Sequence, residues 1–261
     1  MAELLIEILS EEIPARMQSR AAEDLKKIVV NSLHDIGLKI DPNSASSYVT
    51  PRRLALVVNG LTSKIPDVNE ERRGPRVEAP KKAIDGFLGS LGLTLADLEK
   101  RETEKGAFYF VQIVKEGQQT STVLKELLED GISKVNWPKS MRWSNNTQRW
   151  VRPIHSLICI FDKEVIPLRF GACVAGRKTS AHRFLTNTVI DVTDFADYKN
   201  TLETGYVMID SNDRKAKIKS DIEDLASKES LKVVEDKALL DEVAGLVEWP
   251  VALMGSIDAS F

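Results

Sequence analysis

The chain has 261 residues, of which 43% are hydrophobic and 29% charged, and its formal charge is −3. That is enough apolar material for one large or two modest domains. No apolar run approaches the roughly 18 residues that span a bilayer, and Ala2–Ser10 is too short and too acidic for a signal peptide; the expected compartment is therefore the cytoplasm. The two cysteines, Cys159 and Cys173, lack metal-ligand spacing and are expected as buried thiols.

Taken in chain order, Glu3–Leu9 (ELLIEIL) predicts a largely buried strand that ends at Ser10. A helix should follow, capped by Ser10, with Glu11 and Glu12 in the first turn where the helix dipole favours negative charge and with Pro14 early enough to lose no internal bond. Ile13, Met17, Leu25, Ile28, Val29 and Leu33 recur at a helical period, and Gly37 ends the run. Capping explains the two acids more economically than a catalytic pair does. Tyr48–Leu61 predicts a strand interrupted at Thr50-Pro51; adjacent residues on a strand face opposite sides, so at most one of Arg52 and Arg53 should look into a cleft and the other should be solvated. NEERRGPR predicts an irregular loop at Gly74-Pro75, which could offer Arg72, Arg73 and Arg76 to phosphates or leave them solvated.

Pro80 opens a short helix through Phe87, Leu88 and Leu91, Phe108–Val114 alternates as a strand, and Thr120–Val135 has the spacing of an amphipathic helix. SLICIF and EVIPLRFGACV are expected to form an antiparallel pair turned at Asp162-Lys163. After Phe184 the pattern predicts a helix over Asp194–Glu203, a strand at Tyr206–Ile209, a helix from Asn212 to about Lys228, and a closing helix, Gly245 stop and buried strand. Strands and helices mix without regular alternation, so the expected class is α+β with mixed or antiparallel sheets and packed helices, in one region 1–261 or subdivided at 1–65 and 66–261.

Charge is not spread evenly. From Trp137 to Phe184 nine Lys or Arg face two acids, a local charge of +7, whereas residues 1–136 hold 19 bases and 21 acids and residues 185–261 hold 8 and 16. A positive belt on an acidic chain suits a polyanion. Arg142, Arg149, Arg152, Arg177, Lys178, His182 and Arg183 are its candidate RNA-contacting residues, with Arg73 and Arg76 outside it. Trp143 is expected to pack. His182, surrounded by donors, is expected to be exposed and to recognise phosphate or ribose.

Within the belt stand MRW, VRPIHSLICIF and TSAHRF; before it LLIEILSEEIP, TPRRLAL, RRGP and AIDGFLGSLG; after it LLDEVAGLVEWPVALMGS. In this order the strings resemble the beta subunit of the bacterial two-subunit, heterotetrameric glycyl-tRNA synthetase. The resemblance implies a fold partly similar to the editing-type domain in the large subunit of phenylalanyl-tRNA synthetase. It implies that ATP and Mg are used by the alpha subunit, that the partners are that subunit and tRNA(Gly), with no membrane and no DNA, and that this stretch binds no cofactor. It also implies that the chain is the amino-terminal region, ending before an HD-like and an anticodon-binding domain. Editing is not expected, since a pocket that fits glycine excludes larger amino acids sterically.

Read from the residues alone, the chain offers no Walker-type or dinucleotide-type glycine loop and no HxxxH or HExxH pattern. No catalytic residue and no metal ligand is expected. Two alternatives stand beside an RNA-contacting subunit. A free-standing hydrolase would use His155 or His182, and a protein-interaction module would use the belt without touching RNA, as Trp and Arg are also enriched in protein interfaces.

Overall fold

The computed structural model describes residues 1–145, 147–258 and 260. It divides the chain into a larger unit, Met1–Ser63 with Thr120–Phe261, and a smaller one, Lys64–Gln119. The smaller unit is thus inserted into the sequence of the larger one, between Ser63 and Thr120. The class is α+β, and all the named strand pairs are antiparallel.

The larger unit begins with β1 (Ala2–Ser10), buried from Leu4 onward. Helix α1 (Ala15–Asp35) starts later than the sequence suggests. Ser10 is not its cap: the amides of Ser10, Glu11 and Ile13 donate to the carbonyls of Arg52, Pro153 and Pro51, which holds 10–13 extended, and Ser10 Oγ donates to the Glu11 carbonyl. Pro14 takes the cap position with no side-chain bond. Gly37, at φ 89°, turns the chain after the helix, as glycine alone does without strain. β2 (Ala45–Val49) and β3 (Arg53–Leu61) pair antiparallel, so Thr50-Pro51 reverses the chain where an interrupted single strand was expected.

In the smaller unit the stretch expected as an irregular loop is a strand, β4 (Val68–Arg76). Helix α2 (Lys81–Leu91) follows Pro80 and ends at Gly92 in the left-handed region. β5 (Glu99–Thr103), which alternation had not marked, and β6 (Gly106–Lys115) complete a sheet in the order β4-β6-β5. The ladder with β6 bonds one side of the NEERR backbone, so its charged side chains do not prevent a strand; Gly74-Pro75 introduces only a shift of register between Arg73 and Arg76.

Back in the larger unit, α3 (Thr120–Ser133) buries Leu124, Leu128 and Ile132 completely. β7 (Ile154–Phe161) pairs with β1 and turns through Asp162 and Lys163, both at positive φ, into β8 (Glu164–Val165), as a tight hairpin requires. The resulting sheet runs β2-β3-β1-β7-β8. Two short pairs follow, β9 (Arg169–Phe170) with β10 (Cys173–Val174) and β11 (Lys178–Ser180) with β12 (Val189–Asp191). Helices α4 (Phe195–Thr204), α5 (Ser211–Lys228) and α6 (Lys237–Ala244) are each capped by an aspartate, Asp194, Asp210 and Asp236, whose carboxylate accepts a first-turn N–H.

α1 packs along β2 and β3 on one face of the sheet. On the other, Leu5, Ala55, Ile158 and Ile160 meet Tyr198 and Leu202 of α4. Two expected strands are absent. Residues 206–209 only run beside the closing segment, the Met208 amide donating to the Glu248 carbonyl. Residues 251–258 form no strand, and Val251 and Leu253 are exposed, at 69% and 88% accessibility, where a buried strand was expected.

Candidate functional site

The sheet carries a carboxylate in the middle of its apolar face. Glu7 lies in register with Ala55 and Ile158, and is 0% exposed. A charge so placed must be compensated. Tyr198 Oη donates to Glu7 Oε2 at 2.6 Å, and Arg53 Nε stands 3.3 Å from the same oxygen. Arg53, 1% exposed, also donates to Glu248 Oε1 and to the Ser180 carbonyl. Thr50 Oγ1 donates to Glu248 Oε1 at 2.6 Å while accepting the amides of Arg52 and Arg53 at 3.2 and 3.0 Å.

One guanidinium therefore faces two buried carboxylates, and they divide. Burial pushes Glu7 above its ordinary value, more than Arg53 and the hydrogen bond from Tyr198 lower it. Burial acts on Glu248 as well, but the Arg53 charge and the bonds from Arg53 and Thr50 outweigh it and hold that carboxyl below the ordinary range. Burial likewise disfavours the charge on Arg53, yet Glu248 and Glu7 together raise it. Glu248 is thus the ionised partner, and Glu7 is the easier of the two to protonate.

The closing segment that supplies Glu248 is clamped on either side. Arg214, fully buried, donates to the carbonyls of Ala244, Met208 and Val49 at 3.0, 2.6 and 2.9 Å, and burial brings its pKa down to about 10. Gln18 Nε2 donates to the carbonyls of Ile13 and Gly245 at 2.8 and 2.6 Å. Gly245 lies so near α1 that an added Cβ would stand 2.5 Å from Ala15 Cβ.

At the end of β1 the network reaches solvent. His155 Nε2 is 2.7 Å from Glu11 Oε1, Arg183 is 3.4 Å from Glu11 Oε2, and Arg183 also reaches Glu12 Oε1 at 2.5 Å. The hydrogen bond from His155 is the main reason that Glu11 lies below its ordinary value. Glu11 and Glu12 are therefore ion-pair partners and not first-turn residues of α1. Nor is either arginine of the TPRRLAL stretch solvated: both are buried, Arg52 with its Nε on the Ser10 carbonyl at 3.3 Å.

The belt residues divide by engagement. Arg183 is ion-paired, Arg149 donates to Ser140, Arg177 reaches the Lys163 carbonyl, and Arg152 donates to the Val151 carbonyl. Arg142 and Lys178 are exposed, with no partner among the described residues. A backbone bridge pairs Met141 with Trp150. Arg73 and Arg76 lie in the smaller unit. Trp143 is only half-buried; Trp137 and Trp150 do the packing, edge to face at 5.0 Å. Cys159 is buried, which pushes its thiol up, whereas Cys173 is half-buried. Among the described residues no group of three or more His, Cys, Asp or Glu is placed to hold a metal ion.

His182 is also more engaged than expected. Its Nδ1 accepts the amides of Phe184 and Leu185, each at 3.3 Å, and its carbonyl accepts those of Thr186 and Asn187. Burial, with Arg53, Arg183 and Arg52 nearby, outweighs the pull of Glu248 and lowers its pKa, in keeping with an unprotonated Nδ1. His182→Ala is thus expected to cost about 1 kcal/mol through two lost acceptors, a fall in melting temperature of roughly 2 to 4 °C for a unit of this size. His182→Asn, which keeps an acceptor, should restore part of it. An unchanged melting temperature for the alanine variant would show that the ring does not order this loop.

The sequence profile of the family described as glycyl-tRNA synthetase beta subunit matches residues 4–261. The chain belongs to the glycyl-tRNA synthetase beta-subunit family. Among its relatives, the glycine–tRNA ligase beta subunit of Ruegeria sp. (strain TM1040) is 50% identical over 100% of this chain and 38% of that protein. Those of Paracoccus denitrificans (strain Pd 1222) and Dinoroseobacter shibae (strain DSM 16493 / NCIMB 14021 / DFL 12) are 47% and 48% identical, with 38% and 36% of their lengths covered. The chain therefore spans somewhat over a third of the relatives it matches. Four of the strings that carried the family resemblance meet in one place in the larger unit: Glu7 and Glu11 come from LLIEILSEEIP, Arg53 from TPRRLAL, Ser180 to Arg183 from TSAHRF and Glu248 from LLDEVAGLVEWPVALMGS. In this member of the family they build a buried ionic joint whose outer edge is the Glu11–His155–Arg183 cluster.

Proposed function

We propose that the chain acts within a glycine–tRNA ligase as part of its beta subunit, supporting tRNA(Gly) binding and assembly with the alpha subunit, while ATP and Mg are used by the alpha subunit. The observation that carries this reading is the family match over residues 4–261. Two features of the chain support it. The buried carboxylates are consumed by Arg53, Thr50 and Tyr198, which suits a structural joint. The positive belt keeps Arg142 and Lys178 on the surface, where cations attract a polyanion. Among the described residues no helix is long and apolar enough to cross a membrane, which accords with work in the cytoplasm.

The test uses the purified chain. Alone, it is expected to give no glycine-dependent exchange of pyrophosphate into ATP, and to bind labelled tRNA(Gly) weakly with an affinity that falls as salt rises, because neutralised phosphates release counterions. Exchange in the absence of the alpha subunit would overturn the division of labour. Binding that ignores both salt and charge reversal at Arg142 and Lys178 would overturn the role of the belt.

A further inference from the structure

The smaller unit holds a feature that neither the belt nor the ionic joint explains. Arg73 and Arg76 are three residues apart, and on a regular strand such residues point to opposite faces. In β4 they do not. Arg73 lies opposite Phe110 and Arg76 opposite Phe108, so three steps on β4 match two on β6. The extra residue, placed at Gly74-Pro75, is a bulge, and bulges re-aim side chains. Its result is that both guanidinium groups stand over one ring: Arg73 is 3.6 Å and Arg76 5.5 Å from the Phe108 centroid. Gly74 itself is needed there, because an added Cβ would lie 2.7 Å from the Phe87 ring of α2.

The neighbouring charges are spent differently. Arg101, over Phe110 at 5.1 Å, is paired with Glu71 and Glu99, and Arg72 is paired with Glu70. Among the described residues no carboxylate pairs with Arg73 or Arg76, and both are exposed. Two like charges held together without an anion repel each other, and an anion bound between them would relieve that repulsion. The Phe108 ring restrains the Arg73 guanidinium, whose central carbon lies 3.6 Å from the ring centroid in a side chain that stays exposed, so less freedom is lost when a phosphate or a base meets it.

We propose that this bulged edge of β4 is a docking site for a strand of RNA, its phosphates taken by Arg73 and Arg76 and a base stacked on the Arg73 guanidinium. An open sheet edge fits an extended polymer better than a small anion, which would need enclosure, and arginine planes on aromatic rings are a surface on which unpaired bases stack. A protein partner is less well matched, since an acidic peptide would satisfy the charges but leave the stacked plane unused. The proposal rests on the RNA-binding role proposed above and adds a second contact region, separate in sequence from the belt.

The experiment measures fluorescence anisotropy of labelled tRNA(Gly) with the purified chain over a series of potassium chloride concentrations. The double variant Arg73→Gln, Arg76→Gln should bind about tenfold more weakly, and the slope of log affinity against log salt should fall by about 1 to 2, as expected for the loss of two phosphate contacts. Arg73→Lys, Arg76→Lys should keep the slope yet lose affinity, because an ammonium cannot stack as the guanidinium plane does. It also carries the test if the glutamine pair melts early. Unchanged affinity and slope in both variants would overturn the proposal, as would an effect confined to binding of the alpha subunit, which would mark a protein interface. If charge reversal of Arg142 and Lys178 weakens binding while the β4 variants do not, the site falls and the belt stands; no tRNA binding by any form of the chain overturns both.

Discussion

Replacing Arg53 by alanine is expected to destabilise the larger unit by about 3 to 5 kcal/mol, because it leaves Glu7 and Glu248 buried without their shared cation. That is a large part of the roughly 5 to 15 kcal/mol that holds a domain together. The sign of the pH dependence follows from the same geometry. In the intact protein Glu248 is held below its ordinary value. Its ion pair therefore adds stability above the unfolded carboxylate pKa, and that stability is lost as pH falls through the lower, folded value. Without Arg53 only burial acts strongly, so both carboxyls should titrate above their unfolded values, and stability should then be lost as pH rises through the folded pKa. The variant's deficit in melting temperature is thus expected to shrink between pH 8 and pH 5, about one unit above the unfolded carboxylate pKa. A deficit that is the same at both ends of that range would mean that the carboxylates are not what Arg53 compensates. Arg53→Met with Glu248→Gln, which removes both charges of the tightest pair, should recover part of the loss, since replacing both partners costs less than stranding one.

This joint was only partly legible in the sequence, for a physical reason. Helical and strand periods report local burial, and they located β1, α1, α3, β7 and α5 because Leu, Ile and Val repeat there at the proper spacing. The ionic joint depends on contacts across 195 and 191 residues, between Arg53 and Glu248 and between Tyr198 and Glu7, which no local period records. A signal was present even so. Glu7 interrupts an apolar run expected to be buried, and Arg53 opens another, and a buried charge requires an opposite one. Pairing them would have corrected the expectation that one arginine of the Arg52-Arg53 pair is solvated. Ser10 misled in the opposite way. It is a good cap by composition, but neighbouring segments had already taken the amides of 10–13. The strand in NEERR was hidden because propensity disfavours it, while an available ladder on β6 outweighs propensity.

The second large effect is expected at Trp150, and it distinguishes packing from mere aromatic content within the basic belt. Trp150 is 1% exposed, edge to face with Trp137 at 5.0 Å and with Phe170 at 5.4 Å. Its backbone is fixed by the bridge to Met141, the two amides and carbonyls exchanging bonds of 2.8 and 3.1 Å. Truncation to alanine removes the central ring of three and leaves a cavity where it packed; a loss of about 3 to 5 kcal/mol is expected. Trp143, expected from sequence to be the packing residue, is only half-buried and should lose less on truncation, because part of its surface already meets water. Thermal melting of the two alanine variants in parallel decides the matter, with Trp150→Ala melting well below Trp143→Ala. Trp150→Phe should recover much of the difference, since a smaller ring keeps edge-to-face contact with Trp137 and Phe170. If Trp143→Ala proves the more damaging, the aromatic cluster is not the anchor of this segment.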